Sequence, residues 1–232
     1  MFAVLCLIAL GLGYWVGQPK DPNTASATSQ GAKKPTQDTE NPNPNNATDE
    51  FLHIFDGATM KGWSADIPGV WSVQSGRLVG NTVEVFKGAP YLAHYRELGD
   101  FELKARVKIN GSGNSGIFFR APPGSTVANP QNAYEVQIIG RERLNQVNDR
   151  YPTGSLYGRA ASFDLVGENA WFDLHIEAIQ NRIKVSIDGR EVVNFTDSDA
   201  DYPRRGYIKL QTMQDTDVQF MDFQLKQLDG DG

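Results

Sequence analysis

Between residues 101 and 109 apolar and charged side chains alternate without a break. Phe101, Leu103, Ala105, Val107 and Ile109 interleave with Glu102, Lys104, Arg106 and Lys108. A period of two predicts an antiparallel strand with one buried and one wetted face. Phe172, Leu174, Ile176 and Ala178 repeat the pattern, with Asp173, His175 and Glu177 outward. Ile183, Val185 and Ile187 repeat it before Asp188-Gly189, a two-residue hairpin turn, with Val192 and Phe195 on the return strand. The segment Tyr207-Ile208-Lys209-Leu210 and residues 218–228 supply the last strands, with a change of phase between Phe220 and Met221 that predicts a β-bulge. No window of eleven or more residues carries a helical stripe. Short strands punctuated by Gly, Pro, Asn and Asp predict an all-β sandwich or jelly roll over residues 51–228, followed by a tail at 229–232.

Two strands break the rule of polar residues outward. In Asn114-Ser115-Gly116-Ile117-Phe118-Phe119-Arg120, strict alternation places Asn114, Gly116, Phe118 and Arg120 on one face. In the segment from Tyr134 to Ile139, Glu135 and Gln137 oppose Tyr134, Val136 and Ile138. If the two strands are neighbours, Arg120, Glu135 and Gln137 form one polar cluster. Charges on apolar strands need partners, because an unpaired buried charge is costly. One reading is a structural Arg–Glu pair bracing the sheet. The other is a ligand-facing cluster, in which Arg120 and Gln137 donate, Glu135 accepts or acts as a base, and Phe118 and Tyr157 offer stacking surfaces. Trp63 and Trp71, beside turns, read as core plugs, and His175 as part of a solvated face.

Large apolar residues are otherwise confined to the start of the chain. Residues 2–16 are almost unbroken apolar sequence, slightly short for a transmembrane helix and slightly long for a secretory h-region. A signal anchor with an unusual start and a start that omits a basic n-region both fit residues 1–17. Tyr14-Trp15 followed by Lys20 favours retention in a membrane. Cys6 lacks the small residue expected before a lipobox cysteine. Residues 18–50, rich in Pro, Asn, Thr, Ser, Gln and Ala, read as a disordered linker. The expectation is a domain exported to the cell envelope, anchored or released, touching a membrane only through its N-terminal segment.

Composition removes several classes. The net charge of −6 and the scattered basic residues argue against nucleic acid. The three histidines, His53, His94 and His175, have no metal-ligand spacing, and Cys6 is the sole cysteine. No disulfide framework, thiolate metal site or cysteine nucleophile is therefore expected in the folded part. No cofactor is evident, and a divalent cation finds no support in the residue pattern. The sequence does not specify the oligomeric state.

Several short motifs occur in order: Phe55-Asp56-Gly57 with Gly62-Trp63; Trp71-Ser72-Val73 with Gly76-Arg77-Leu78-Val79-Gly80; Gly99-Asp100-Phe101-Glu102-Leu103; and the stretch from Asn114 to Arg120. Tyr134-Glu135-Val136-Gln137-Ile138, Thr153-Gly154-Ser155-Leu156-Tyr157-Gly158, Trp171, Asp188-Gly189 and Leu210-Gln211 follow. In this ordered set the chain resembles the 3-keto-glycoside lyase/hydratase family, also called 3-keto-disaccharide hydrolases. The resemblance implies a concanavalin-like jelly roll and a substrate oxidised at C3 of the sugar. A ketone at C3 acidifies the C2 proton, so a base can remove it, the C1 oxygen can leave, and water can then add. The motif positions give Glu135 as candidate base and Arg120 as candidate stabiliser of negative charge. Asn114, Phe118, Gln137, Tyr157 and Gln211 are the candidate substrate contacts. Family members often carry Asp where Gly140 stands here and His where Met213 stands. The alternatives are therefore a non-catalytic, lectin-like carbohydrate-binding module and an interaction domain displayed from the membrane.

Overall fold

A computed structural model describes residues 50–83, 89–123, 133–163, 166–201 and 203–228. The expected anchor, nearly all of the linker and the C-terminal tail lie outside the described residues. The alternating segments pair into two sheets. The larger runs, in spatial order, β11 (Arg190–Thr196), β10 (Arg182–Ile187), β9 (Phe172–Ile179), β6 (Phe101–Ile109), β13 (Thr216–Gln227), β4 (Arg77–Thr82) and β3 (Trp71–Gln74), with β1 (Leu52–His53) also on β13. The smaller runs β2 (Trp63–Ala65), β5 (Tyr91–Leu98), β12 (Gly206–Thr212), β7 (Asn114–Ala121) and β8 (Tyr134–Ile139). All the pairings are antiparallel.

One core fills the space between the sheets. Leu103, Val107, Leu174, Ile176, Ile183 and Val185 come from the larger sheet, and Leu92, Ile117, Phe119, Val136, Ile138 and Leu210 from the smaller. Each is at most 2 % exposed, so the alternation seen in the sequence is the division between core and outer face. Trp63 and Trp71 belong to this core, as expected. Asp188 and Gly189 join β10 to β11 with φ of 49° and 75°, the left-handed pair that a two-residue hairpin requires.

Two features depart from the sequence expectation. The bulge in β13 lies between Met221 and Gln224, with Asp222 at φ 54°, slightly after the predicted phase change. It turns both Phe220 and Phe223 into the core. A short helix, α1 (Arg141–Val147), follows β8. It buries no residue, so it carries no apolar stripe for a periodicity argument to find.

Candidate active site on the outer face of the smaller sheet

Register defines the site. Lys209 on β12 pairs with Ala93 on β5 and Phe118 on β7, and Phe118 pairs with Glu135 on β8. Gln211 pairs with Tyr91 and Gly116, and Gly116 with Gln137. Val136 bridges Leu156, and the Tyr157 N–H donates to the Glu135 carbonyl oxygen at 2.9 Å. Tyr157 thus stands beside Glu135, and Ser155 beside Gln137. Two rows cross the outer face: Ala93, Lys209, Phe118, Glu135, Tyr157; and Tyr91, Gln211, Gly116, Gln137, Ser155. With strands spaced by about 4.8 Å, the backbone positions of Ala93 and Glu135 are about 14 Å apart.

Although these residues point away from the core, the face is nearly closed. Phe118, Gln137, Tyr91, Lys209, Gln211 and Glu135 are all buried. Tyr91 and Phe118 pack edge to face at 5.6 Å, in a cluster separate from the main core. Glu135 lies over Gly116, where an added Cβ would run into its carboxylate. That close approach explains the glycine at this position. Burial first, and the nearby charge of Asp149 second, push the Glu135 carboxyl up to about 8. No side-chain hydrogen bond holds that carboxyl among the described residues.

Two amides on the same face are also underused. The Gln137 Oε1 and Asn114 Oδ1 are buried and accept no hydrogen bond among the described residues. Gln211 donates through Nε2 to the Tyr91 hydroxyl at 3.3 Å. Tyr157 is half-buried, its ring 5.0 Å from that of Tyr151. Burial raises its hydroxyl pKa, and Asp149 and Glu135 add to the effect. Six of the seven predicted residues therefore share this face: Asn114, Phe118, Glu135, Gln137, Tyr157 and Gln211.

Arg120 is the correction. Phe118 pairs with Lys209 but Ala121 pairs with Tyr207, so β7 spends three steps where β12 spends two. The extra residue makes a bulge with Arg120 at φ 52°, which swings the side chain off the outer face. The guanidinium is fully buried and donates to the carbonyl oxygens of Gly99 at 3.2 Å, Gln180 at 2.7 Å and Ala178 at 3.4 Å. It also pairs with Asp100 Oδ1 at 3.0 Å. Arg120 ties loops together and neither joins the cluster nor pairs with Glu135.

The cation on the face is Lys209, which the sequence pattern did not single out. Its Nζ donates to the Pro122 carbonyl oxygen at 3.2 Å. Burial lowers its pKa, with Asp66 opposing the shift. Asp149 was also missed, since its influence on Glu135 depends on the path of the chain after α1. The two positions where the family pattern is broken adjoin this region. The Met213 N–H donates to the Asn114 carbonyl oxygen at 3.0 Å. Gly140 is pressed against the carbonyl oxygens of Asn110 and Gly111, which leave no room for a Cβ.

Residues 50–226 match the 3-keto-α-glucoside-1,2-lyase-like domain, a span covering most of the chain. The chain belongs to that family. No curated protein matches it. Among solved structures, two candidate glycosyl hydrolases from Parabacteroides distasonis superpose on this 3-keto-α-glucoside-1,2-lyase-like domain with a TM-score of 0.65 each. They are 19 % and 21 % identical to it, and the matches cover 77 % of this chain and 94 % and 100 % of theirs. A Bacillus subtilis protein with a galectin-like fold is similar at TM-score 0.58 and 15 % identity, over 72 % of this chain and 90 % of its own. At these identities the likeness establishes the jelly-roll fold alone.

Proposed function

We propose that the outer face of the smaller sheet binds a saccharide oxidised at C3 and cleaves its C1 glycosidic bond by elimination and hydration, with Glu135 as the base. Membership of the 3-keto-α-glucoside-1,2-lyase-like family supports action on saccharides. The observation that carries the assignment to Glu135 is a buried carboxyl, raised to about 8, with no side-chain partner and with the unpaired amide oxygen of Gln137 two residues along the same strand. A carboxylate that holds its proton this strongly is a far better base toward carbon than an ordinary one, and it is still partly ionised near neutral pH.

Glu135 takes the C2 proton, and the electron pair of that bond moves toward the C3 ketone. The charge then returns to form the C1=C2 double bond as the C1–O bond breaks, and the departing oxygen gains a proton to leave as an alcohol. Water next adds its oxygen to C1 while C2 regains a proton, giving the free 3-keto sugar. Lys209 lies on the same row across Phe118, and it takes the role first given to Arg120, offsetting charge at the C3 oxygen. Gln137 and Asn114 accept sugar hydroxyls, and Tyr157 flanks the ring. The apolar segment at residues 2–16 supports placing this activity in the cell envelope, which fractionation of the expressing cells would check.

The test uses the full chain with 4-nitrophenyl 3-keto-glucosides of both anomers. Release by the wild type, reduced about a hundredfold or more in Glu135→Gln, is the expected result for a lost catalytic base. Equal release by both proteins would remove Glu135 from the reaction. A second reading, saccharide binding without cleavage, is favoured by Met213 and by the crowding at Gly140. It predicts binding of the 3-keto-glucoside with no release at all.

A further inference from the structure

The half of the outer face away from Glu135 opens into a cavity of about 1060 Å³. It lies over β2, β5 and β12, where Ser64, Tyr91, Ala93, Tyr95, Tyr207 and Lys209 line it. Tyr91 and Lys209 also belong to the two rows that reach Gln137 and Glu135. The cavity is therefore continuous in register with the saccharide site and displaced from Glu135 by two to three strands, about 10–14 Å. A single hexose ring over β7 and β8 leaves this space for whatever the sugar carries at C1.

The wall states what that group is. Several polar groups of the wall already have partners, although Lys61, Ser64 and Tyr207 also line it. Asp66 Oδ1 accepts the Tyr91 N–H at 2.8 Å, and the Trp63 Nε1 donates to the Ile54 carbonyl oxygen at 2.8 Å. Asp56 accepts from Ala58, Thr59 and the Thr59 hydroxyl, and the His94 Nδ1 from the Arg96 N–H. Lys209 holds the Pro122 carbonyl. A second sugar would have to pair its hydroxyls with the few polar groups on a mostly apolar wall, and each hydroxyl buried unpaired is costly.

Most of the exposed wall is carbon. Tyr95 is 67 % exposed on this wall, an unusually open aromatic ring. It is the end of an aromatic run, its ring 4.9 Å from His94, which in turn meets Trp63 edge-on at 4.9 Å. The Arg96 Nε is buried without a hydrogen-bond partner among the described residues, and Arg96 lines the cavity. A flat ring stacked along Tyr95, with an oxygen substituent in reach of Arg96, satisfies both features.

We infer that this cavity is the site for the leaving group and that it takes a planar aromatic aglycone bearing an oxygen acceptor. The inference rests on the saccharide reading above. It makes the preferred substrates aryl 3-keto-glycosides, with phenols as the departing alcohols.

The experiment measures equilibrium binding, on the full chain with Glu135→Gln to prevent turnover, for three 3-keto-glucosides. They carry 4-nitrophenyl, methyl or a second glucose at C1. The aryl compound should bind about tenfold or more tightly than the methyl one, from aromatic surface buried in the cavity. In the Tyr95→Ala variant that ratio should fall about fivefold, the worth of one stacked aromatic pair, and Tyr95→Phe should restore it. An equal or greater preference for the glucosyl compound would overturn the aromatic assignment. A preference for the aryl compound that Tyr95→Ala leaves intact would overturn the placement of the aglycone. Failure of all three compounds to bind would instead sink the saccharide reading beneath it.

Discussion

The Glu135→Gln substitution should stabilise the fold, and increasingly so as pH rises. In the folded chain burial holds the Glu135 carboxyl at about 8, against 4.5 for an ordinary glutamate. Between those two values the folded state keeps a proton that the unfolded state has released, so stability falls as pH increases. Below 4.5 both states are protonated, and the favourable contribution is present in full. At 1.36 kcal/mol per pH unit, the loss from 4.5 to 8 approaches about 5 kcal/mol, an upper figure because loosening around the ionised group would relieve part of it. Glutamine has the same shape and no charge, so the variant lacks this dependence. Urea unfolding of both proteins from pH 4 to 9.5 should give curves with a constant offset below pH 4.5 and diverging above it. The variant should gain several kcal/mol relative to wild type by pH 9, out of a total stability of about 5–15 kcal/mol. Parallel stability curves between pH 5 and 8 would refute the buried, unpaired carboxyl and with it the case for a base of this strength.

Activity should run the opposite way: kcat/KM for a 3-keto-glucoside should rise about tenfold per pH unit below 8 and level off above it, because only ionised Glu135 accepts a proton; a flat profile from pH 6 to 9 would exclude that role. Arg120→Met should cost about 3–5 kcal/mol in urea unfolding, by leaving the Gly99, Gln180 and Ala178 carbonyls and Asp100 without their shared donor. The folded fraction should still bind a 3-keto-glucoside, and loss of binding without loss of stability would return Arg120 to the site. Gly116→Ala should lower kcat/KM by about tenfold to a hundredfold, because its Cβ displaces the Glu135 carboxylate. An unchanged kcat/KM would show that Glu135 does not act from its position over Gly116.

The sheets were legible because their code is local. Phe101, Leu103, Ala105, Val107 and Ile109 all face the core, and the Asp188-Gly189 turn requires only its own two residues. The shared face of Glu135, Gln137, Phe118 and Asn114 came from counting by twos along neighbouring strands. Arg120 broke that count because one extra residue in β7 reverses the facing of the residues after it, and Phe118-Phe119-Arg120 contains nothing that marks it. Lys209 was overlooked for the complementary reason. A lysine between Ile208 and Leu210 looks like a wetted strand face, and alternation reports which side a residue points to, not whether that side is dry. Here the outer face is closed enough to leave Lys209 only 5 % exposed.

That dryness has a thermodynamic consequence that bears on function. A sheet stabilised only for its own sake would fill a closed outer face with apolar side chains, since removing unpaired polar groups from such a place is neutral or favourable. This face instead keeps a carboxyl, an amine and three amides: Glu135, Lys209, Gln137, Gln211 and Asn114. Two of the amide oxygens and the carboxyl lack hydrogen-bond partners among the described residues. By contrast Arg120, buried near the end of β7 in the same sheet, has partners in Gly99, Asp100, Ala178 and Gln180. The two kinds of burial differ: the bracing arginine is satisfied within the chain, whereas on the proposed reading the unpaired groups are satisfied when a saccharide arrives. Ligand binding should therefore raise stability most at the pH where the unliganded face is least stable. A 3-keto sugar with no leaving group at C1 should shift the melting temperature of Glu135→Gln and wild type alike near pH 5, since both are then neutral, and the two shifts should part company only above pH 7. Identical shifts across the whole range would show that the sugar does not lie against Glu135.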